Sequence, residues 1–353
     1  MFMADPTTPA VLIDLDVVRR NIRRFQDYAD AHGLRVRPHI KTHKLPAIAR
    51  MQLAAGAIGV TCQKVSEAEA MIEGSPDIRD VLITYNIIGA EKLAHLVGLA
   101  RRVALSVVAD SETVVEGLSG AFAGEPAPLR VLVECNTGAD RCGVATPEAA
   151  AVLARQIAAA PGLAFGGLMT YPPAGGVEKV QEFMARAKAL IEEAGVPVPV
   201  VSSGGTPSMT SAARAPVTTE YRPGTYVYND RSLVARGVCG WEDCALTVLA
   251  TVVSVPAANR AIIDAGSKAL TSDLLGLTGY GHVLGRPDIA IDQLSEEHGR
   301  LVSERPIGLT VGETVRVVPN HACVVTNMVD EVHVVEGGEV AGTWRVAARG
   351  CIT

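Results

Sequence analysis

Short apolar runs rich in β-branched residues recur eight times along the first two-thirds of the chain, and this rhythm restricts the fold more than any other feature. They are Leu34–Pro38, Ile58–Thr61, Val81–Thr84, Val103–Val108, Leu129–Glu134, Leu163–Thr170, Val198–Ser202 and Thr218–Tyr221. Continuous apolarity over so few residues marks strands buried on both faces, as in parallel sheets. Between most runs the apolar residues return at helical spacing, as at Leu45, Ile48, Ala49 and Leu53, or at Val180, Phe183, Met184, Ala187, Leu190 and Ile191. A helix over Asp16–Ala31 precedes the first run. Strand after helix, eight times, predicts an α/β fold with a (β/α)8 TIM-type barrel. An open doubly wound sheet is the alternative, but eight strands close a barrel without remainder.

The rhythm changes near Trp241. Leu246–Val255, Arg260–Asp264, Thr314–Val318, Ala322–Val325, Glu331–Val335 and Thr343–Ala348 read as strands between Gly, Pro and Asn turns, and helical stretches are nearly absent. The expected organisation is a barrel over 16–240 and a mostly β domain over 241–353. Residues 1–15, with the β-like stretch Thr8–Leu15, are expected to join the second domain. A length of 353 residues suits two domains at roughly 150 residues each.

Composition excludes several classes of function. Apolar residues make up 48% and charged residues 20%, as in ordinary soluble globular proteins. A net charge of −6 offers no basic footprint for nucleic acid or an anionic membrane, and 4% aromatics give little surface for stacking bases. The start, Met1 to Pro6, lacks the features of a signal peptide, and no apolar run approaches the ~20 residues needed to span a bilayer. Seven cysteines with no CxxC pair do not form a disulfide framework. The expectation is a cytoplasmic protein.

In such a barrel, chemistry belongs at the C-terminal ends of the strands. The first run is followed by His39-Ile40-Lys41-Thr42-His43-Lys44, the second by Cys62-Gln63-Lys64, and the third by Tyr85-Asn86. Asn136–Arg141 follows the fifth, Tyr171 the sixth, Ser203-Gly204-Gly205-Thr206 the seventh, and Arg222–Tyr226 the eighth. Ser202–Ser208 has the composition of a phosphate cradle, with glycines for close backbone approach, hydroxyl donors, and the N-terminus of an expected helix. The same residues also suit a plain strand-to-helix turn. Arg222–Thr225 would add donors, at the place where barrels bind phosphate.

Lys41, near His39, Lys44 and Arg37, suits a nucleophilic or Schiff-base lysine whose amine is depressed by crowded cations and burial. A basic surface loop is the plainer reading. In Pro319–Cys323, His321 and Cys323 stand two apart on an expected strand and hence on one face. Imidazole and thiolate suit a zinc-like ion with open coordination positions, or else form a satisfied core pair.

Arg37–Lys44, the Asn136–Val144 turn, Ser203–Pro207, Arg222–Tyr226 and Pro319–Cys323, taken in order, resemble the fold-type III pyridoxal-phosphate enzymes. The likeness is specifically to the metal-activated D-threonine aldolase and D-serine dehydratase group, and it runs from Thr8-Pro9-Ala10 to Ala348-Arg349-Gly350. It implies an alanine racemase-like barrel, pyridoxal 5′-phosphate, and a divalent metal (manganese or zinc, with magnesium or cobalt as further options). Lys41 is then the lysine bonded to the cofactor, and Arg141 the arginine aimed at its ring. Ser203, Gly204, Gly205, Thr206, Gly224, Thr225 and Tyr226 hold the phosphate, and His321 and Cys323 ligate the metal. Gln63, Tyr171, Tyr280 and His282 line the site; Glu297-His298-Gly299 resembles a family stretch without an assigned role.

The implied reaction is that of a lyase acting on a small D-β-hydroxy-α-amino acid, with neither nucleic acid nor membrane as partner. Retro-aldol cleavage of D-threonine to glycine and an aldehyde is preferred, because Val318–Met328 and Thr343–Gly350 look more like the aldolase branch. D-serine dehydratase is the alternative, favoured by the His-x-Cys pair. An amino-acid racemase would not need that pair, and a non-catalytic pyridoxal-phosphate carrier would lack Trp241–Thr353. The loop Tyr171–Gly176 lacks a histidine that several aldolases of the group carry, so His39, His43 or a metal-bound water is left as base for the hydroxyl proton. Members of the group generally form head-to-tail homodimers, which would turn the region of Tyr280 and His321 toward the partner.

Overall fold

The eight apolar runs become strands close to their expected positions in the computed structural model, which describes residues 6–353. Residues 1–5 of the stretch expected to join the β domain lie outside the described residues. Two units emerge. One comprises Arg23–Lys41, Pro46–Gly224 and Cys351–Thr353; the other comprises the chain up to Ile22, Thr42–Leu45 and Thr225–Gly350. The expected division at 240/241 thus becomes one at 224/225, with a four-residue exchange after Lys41.

The chain begins with β1 (Ala10–Asp14) and α1 (Leu15–Ala31). Asp14 starts the helix, its Oδ1 accepting from the Asp16 and Val17 amides. The barrel strands are β2 (Arg35–Val36), β3 (Val60–Cys62), β4 (Asp80–Ile83), β5 (Ala104–Ala109), β6 (Leu129–Cys135), β7 (Leu163–Thr170), β8 (Val201–Gly204) and β9 (Glu220–Arg222). All pair in parallel, in the order 2-9-8-7-6-5-4-3. The two ends of that order meet. Ile58 N–H donates to Val36 O at 2.9 Å, Thr61 N–H donates to Pro38 O at 2.8 Å, and His39 bridges Thr61 in parallel. The sheet is therefore a closed (β/α)8 barrel, not an open doubly wound sheet.

Six helices cross between strands: α2 (Pro46–Ala54), α3 (Val65–Gly74), α4 (Ala90–Ala100), α5 (Glu112–Phe122), α6 (Pro147–Ala159) and α7 (Val177–Glu193). The helix expected after β8 is instead a 3-10 stretch, Thr206–Arg214. Its Ser and Thr hydroxyls compete for the backbone, as Ser211 Oγ does in donating to Ser208 O at 3.0 Å. Leu82, Val108, Leu132 and Met169, from β4 to β7, pack into one buried cluster with Val200 against it. A bulge at Gly166 in β7 re-phases that strand. Gly167 follows it at φ +123°, where a Cβ would stand 2.0 Å from Val200 O, so the close approach to the β8 side requires glycine.

The other unit is a mainly antiparallel sheet. It contains β10 (Leu246–Ala257), β11 (Arg260–Ile263), β12 (His282–Val283), β13 (Ala290–Leu294), β14 (Gly299–Val302), β15 (Thr314–Val318), β16 (Glu331–Glu336) and β17 (Glu339–Arg345). β1 lies between β10, antiparallel, and β16, parallel. The β13–β14 pair escaped the sequence reading because only alternate residues are buried there, so no continuous apolar run exists. Two short helices, α8 (Arg231–Ala235) and α9 (Ser267–Leu270), precede α10 (Ala322–Met328), a helix where the strand Ala322–Val325 was expected. Its Val324-Val325-Thr326 run reads as β, but its first amide, Ala322 N–H, donates to Asp230 Oδ2 at 3.1 Å. That cap comes from a distant segment and overrides local propensity. Among the described residues, no helix is long and apolar enough to cross a membrane.

Candidate active site

Within the barrel unit, the turn after β2 carries Lys41 in a 3-10 segment, Ile40–Thr42, with the lysine half-buried. His39 is buried and placed by its neighbours. Gln63 Nε2 donates to Thr84 O at 2.9 Å, so its Oε1 is the atom that faces His39 Nε2 at 3.1 Å. That nitrogen must therefore carry the proton, and Nδ1 is left to accept the Lys41 amide at 3.3 Å. A protonated ring would set Nδ1–H against the Lys41 N–H. His39 and Gln63 thus clamp the backbone of Lys41. His43 is fully buried and its Nδ1 accepts the Leu45 amide at 3.1 Å. Both histidines thus accept a backbone amide at Nδ1.

A buried chain of polar groups crosses the barrel beneath this mouth. Arg37 donates to Asp80 at 2.7 Å and to Glu220 at 2.9 Å; Glu220 accepts from Ser202 Oγ at 2.7 Å. Arg222 Nε donates to Ser202 Oγ at 2.8 Å, and another of its nitrogens donates to Thr170 O at 2.5 Å. Burial pulls the Arg222 guanidinium down from its ordinary range, against the raising charges of Glu220 and Glu134. Glu134, buried at the end of β6, has its carboxyl raised by burial and by Asp110, against Arg222 and Arg141. The sequence reading placed Arg37 only among the cations crowding Lys41 and Arg222 only as a loop donor, and gave Glu134 and Glu220 no role. The available signal was charge inside buried parallel strands, as in Glu220-Tyr221-Arg222.

The loops after β8 and β9 test the fit of a phosphate. Gly205 has φ +106°, and a Cβ there would meet the Tyr171 ring at 3.4 Å; a Cβ on Gly204 would meet Arg222 O at 2.9 Å. Backbone at Gly204 thus stands where a side chain cannot, and the positive φ of Gly205 suits glycine, beside the buried hydroxyls of Ser203 and Thr206. Gly224 N–H donates to Thr206 Oγ1 at 3.3 Å and joins the two loops. The hydroxyls of Ser203 and Thr206 beside this glycine-bounded space suit an anion. Arg141 lies over the Tyr171 ring at 4.8 Å, in a loop shaped by Asn136 Oδ1, which accepts from Gly138 and Asp140.

Within the β unit, the expected face-sharing of His321 and Cys323 on a strand gives way to another geometry. His321 is the N-cap of α10 and Cys323 lies in its first turn. The two side chains interact electrostatically, and His321 Nδ1 lies 2.8 Å from Asp273 Oδ2. Burial disfavours the charged imidazole, but Cys323 and Asp273 outweigh it and push the ring up to about 9. Thr42 Oγ1 and Thr225 Oγ1 lie 3.2 Å and 3.6 Å from Cys323 Sγ. Tyr226 is buried in the adjoining 3-10 turn.

The Tyr228 hydroxyl is fully buried without a hydrogen-bond partner, and burial and the charge of Cys323 hold it well above the ordinary phenol range. A soft donor pair beside an orphaned hydroxyl fits a divalent ion with a polar ligand. Among the described residues no group of three His, Cys, Asp or Glu forms a complete cage, so such an ion would keep open positions. His282 stacks on Trp241 at 3.8 Å, and Tyr280 donates its amide to Ile291 O at 3.0 Å.

Residues 13–232 match the family described as alanine racemase, N-terminal domain. The chain belongs to this family. Residues 245–335 match the putative serine dehydratase domain. The family and the second domain together place the chain in the fold-type III pyridoxal-phosphate group. D-threonine aldolase of Arthrobacter sp is 35% identical over 365 residues, covering 99% of this chain and 94% of that protein. The solved structure of D-threonine aldolase from Filomicrobium marinum superposes with a TM-score of 0.92 at 35% identity, covering 99% of this chain and 98% of that one. D-threo-3-hydroxyaspartate dehydratase of Delftia sp. (strain HT23) is 34% identical, covering 90% of each chain. Solved structures of a D-threo-3-hydroxyaspartate dehydratase include a histidine-to-alanine variant and, two positions on, a cysteine-to-alanine variant in the metal-free form. These relatives are lyases.

Proposed function

We propose that the protein is a pyridoxal-phosphate- and divalent-metal-dependent D-threonine aldolase, cleaving D-threonine and related D-β-hydroxy-α-amino acids to glycine and an aldehyde. The observation that carries this reading is the likeness to D-threonine aldolases along 99% of the chain, in sequence and in fold. Lys41 Nζ would hold the cofactor aldehyde, and Ser203, Gly204, Gly205, Thr206, Gly224, Thr225 and Tyr226 would hold its phosphate. When bound, the cofactor supplies an electron sink for a bond broken at Cα, and the metal on His321 and Cys323 a Lewis acid for the β-hydroxyl.

The chain's own residues do the rest. His39 and Gln63 hold the Lys41 backbone, so the amine works from a fixed turn. Arg222, bonded to Ser202 Oγ and Thr170 O, helps keep the two glycine loops in register. The Arg141 guanidinium over Tyr171 offers charge for an anionic group of the cofactor or substrate. Tyr171 is 38% exposed and is available to a ligand. Manganese or zinc suits the imidazole–thiol pair, with zinc preferring the sulfur. The reading includes a cytoplasmic homodimer, and gel filtration showing an active monomer would remove the dimer from it.

A second reading, a D-hydroxy-amino-acid dehydratase, is favoured by the histidine and cysteine two positions apart, the same spacing as the two residues altered in the D-threo-3-hydroxyaspartate dehydratase variants. Product analysis separates the two. The purified protein with pyridoxal phosphate and manganese or zinc is mixed in turn with D-threonine, D-serine and L-threonine. Glycine and acetaldehyde from D-threonine alone are expected. Ammonia with a 2-oxo acid would replace the aldolase by the dehydratase, and turnover of L-threonine would remove both.

A further inference from the structure

We propose that Asp273 is the positioning residue of the metal site: it holds His321 as the Nδ1–H tautomer and so presents Nε2 to the ion. This inference rests on the reading of His321 and Cys323 as metal ligands. Asp273 Oδ2 lies 2.8 Å from His321 Nδ1. A ring that ligates an ion through Nε2 keeps its one proton on Nδ1, and that is where it satisfies this contact. Carboxylates that accept the second nitrogen of a ligating histidine fix the ring's tautomer and orientation and raise its basicity.

The contact is built into the fold. Asn320, the neighbour of His321, donates to Asp273 O at 3.1 Å and to Gly279 O at 2.8 Å. Arg231 donates to Asn320 Oδ1 at 2.9 Å, to Gly279 O at 3.1 Å and to Thr278 O at 2.8 Å. Asp273 N–H donates to Thr271 Oγ1 at 3.2 Å. The loop is thus tied to the residue next to His321 at both of its ends. It also contains two non-glycine residues with left-handed backbone, Thr271 at φ 64° and Leu275 at φ 50°. Such conformations persist only where the surroundings over-determine them. The Asp273 side chain is 45% exposed, so as an ion pair for stability it would contribute little. Its effect belongs to the orientation of the ring.

The test is Zn2+ affinity of the pyridoxal-phosphate-loaded protein, measured by competition with a chromogenic chelator. Asp273→Ala is expected to weaken Zn2+ binding about 10–100-fold, as for other carboxylates behind a metal histidine. Asp273→Asn keeps an acceptor for Nδ1–H and is expected to fall between Ala and the parent. It is also the variant to rely on if Asp273→Ala fails to fold. Cofactor colour and the melting temperature of the metal-free protein should stay at parent values, which a merely structural role would not allow. Asp273→Ala binding within threefold of the parent, or Asp273→Asn binding no better than Ala, would overturn the proposal. His321→Ala separates the two levels of inference. If it leaves Zn2+ affinity intact, or if the parent binds no Zn2+, the metal site itself is wrong. If it abolishes binding while Asp273→Ala does not, only the positioning role fails.

Discussion

Replacing Glu220 by alanine removes the centre of the buried polar chain through the barrel. Its two carboxylate oxygens accept from Arg37 Nε at 2.9 Å and from Ser202 Oγ at 2.7 Å. Hydrogen bonds to charged groups contribute about 1.5–3 kcal/mol each, so their loss sums to about 3–6 kcal/mol. Breaking a buried ion pair from one side costs about 3–5 kcal/mol by itself, because the other charge stays buried. Arg37 keeps Asp80 at 2.7 Å, and Ser202 keeps Arg222, which places the expected cost in the lower half, at ~3–4 kcal/mol. At roughly 2–4 °C per kcal/mol for a unit of this size, the melting temperature should fall by about 6–16 °C. Circular dichroism of the barrel's thermal transition measures it. Arg130→Ala is the internal control, since Arg130 meets the same Asp80 at 3.4 Å from a side chain 47% exposed, and should cost less than about 1 kcal/mol. Glu220→Ala melting within about 2 °C of Arg130→Ala would refute the claim that this chain stabilises the barrel.

Other outcomes follow from the same geometry. Gly167→Ala places a Cβ 2.0 Å from Val200 O at a left-handed φ and should cost at least about 3 kcal/mol; an unchanged urea midpoint would contradict this. Burial and Asp110 hold the Glu134 carboxyl above its unfolded value, so the stability that goes with its protonated form is lost as pH rises through the folded value. Glu134→Gln should therefore match the parent in acid and become the more stable of the two as pH rises above the ordinary glutamate range; a gap independent of pH would rule this out. Dialysis against a chelator should abolish cleavage of D-threonine, and manganese or zinc should restore it in the parent but not in Cys323→Ala. Full activity after chelation would exclude the metal from the reaction.

The barrel was legible because parallel strands buried on both faces must be continuously apolar, and Leu163–Thr170 reads off to the residue. The glycine and hydroxyl cluster at Ser203–Thr206 was legible for the same local reason: only such residues let backbone close around an anion. Strands exposed on one side, such as Ala290–Leu294, carry half that signal and were missed. The segment Ala322–Met328 was misread because its β-branched run points one way while its cap, Asp230, lies 92 positions earlier. Charges inside strands, Glu220 and Arg222, were present in the sequence, but their partners Arg37, Ser202 and Thr170 were not identifiable from it.

The sequence by itself thus determined the barrel rhythm, the lysine-bearing turn, the glycine loops and the histidine–cysteine pair, since each is set by residues within a few positions of one another. Tertiary structure alone decided which groups face the ring nitrogens of His39 and His321. Gln63 settles His39 from 24 positions away, and Asp273 settles His321 from 48. A tautomer is chosen by a partner within about 3 Å in space, and no local pattern records who that partner is.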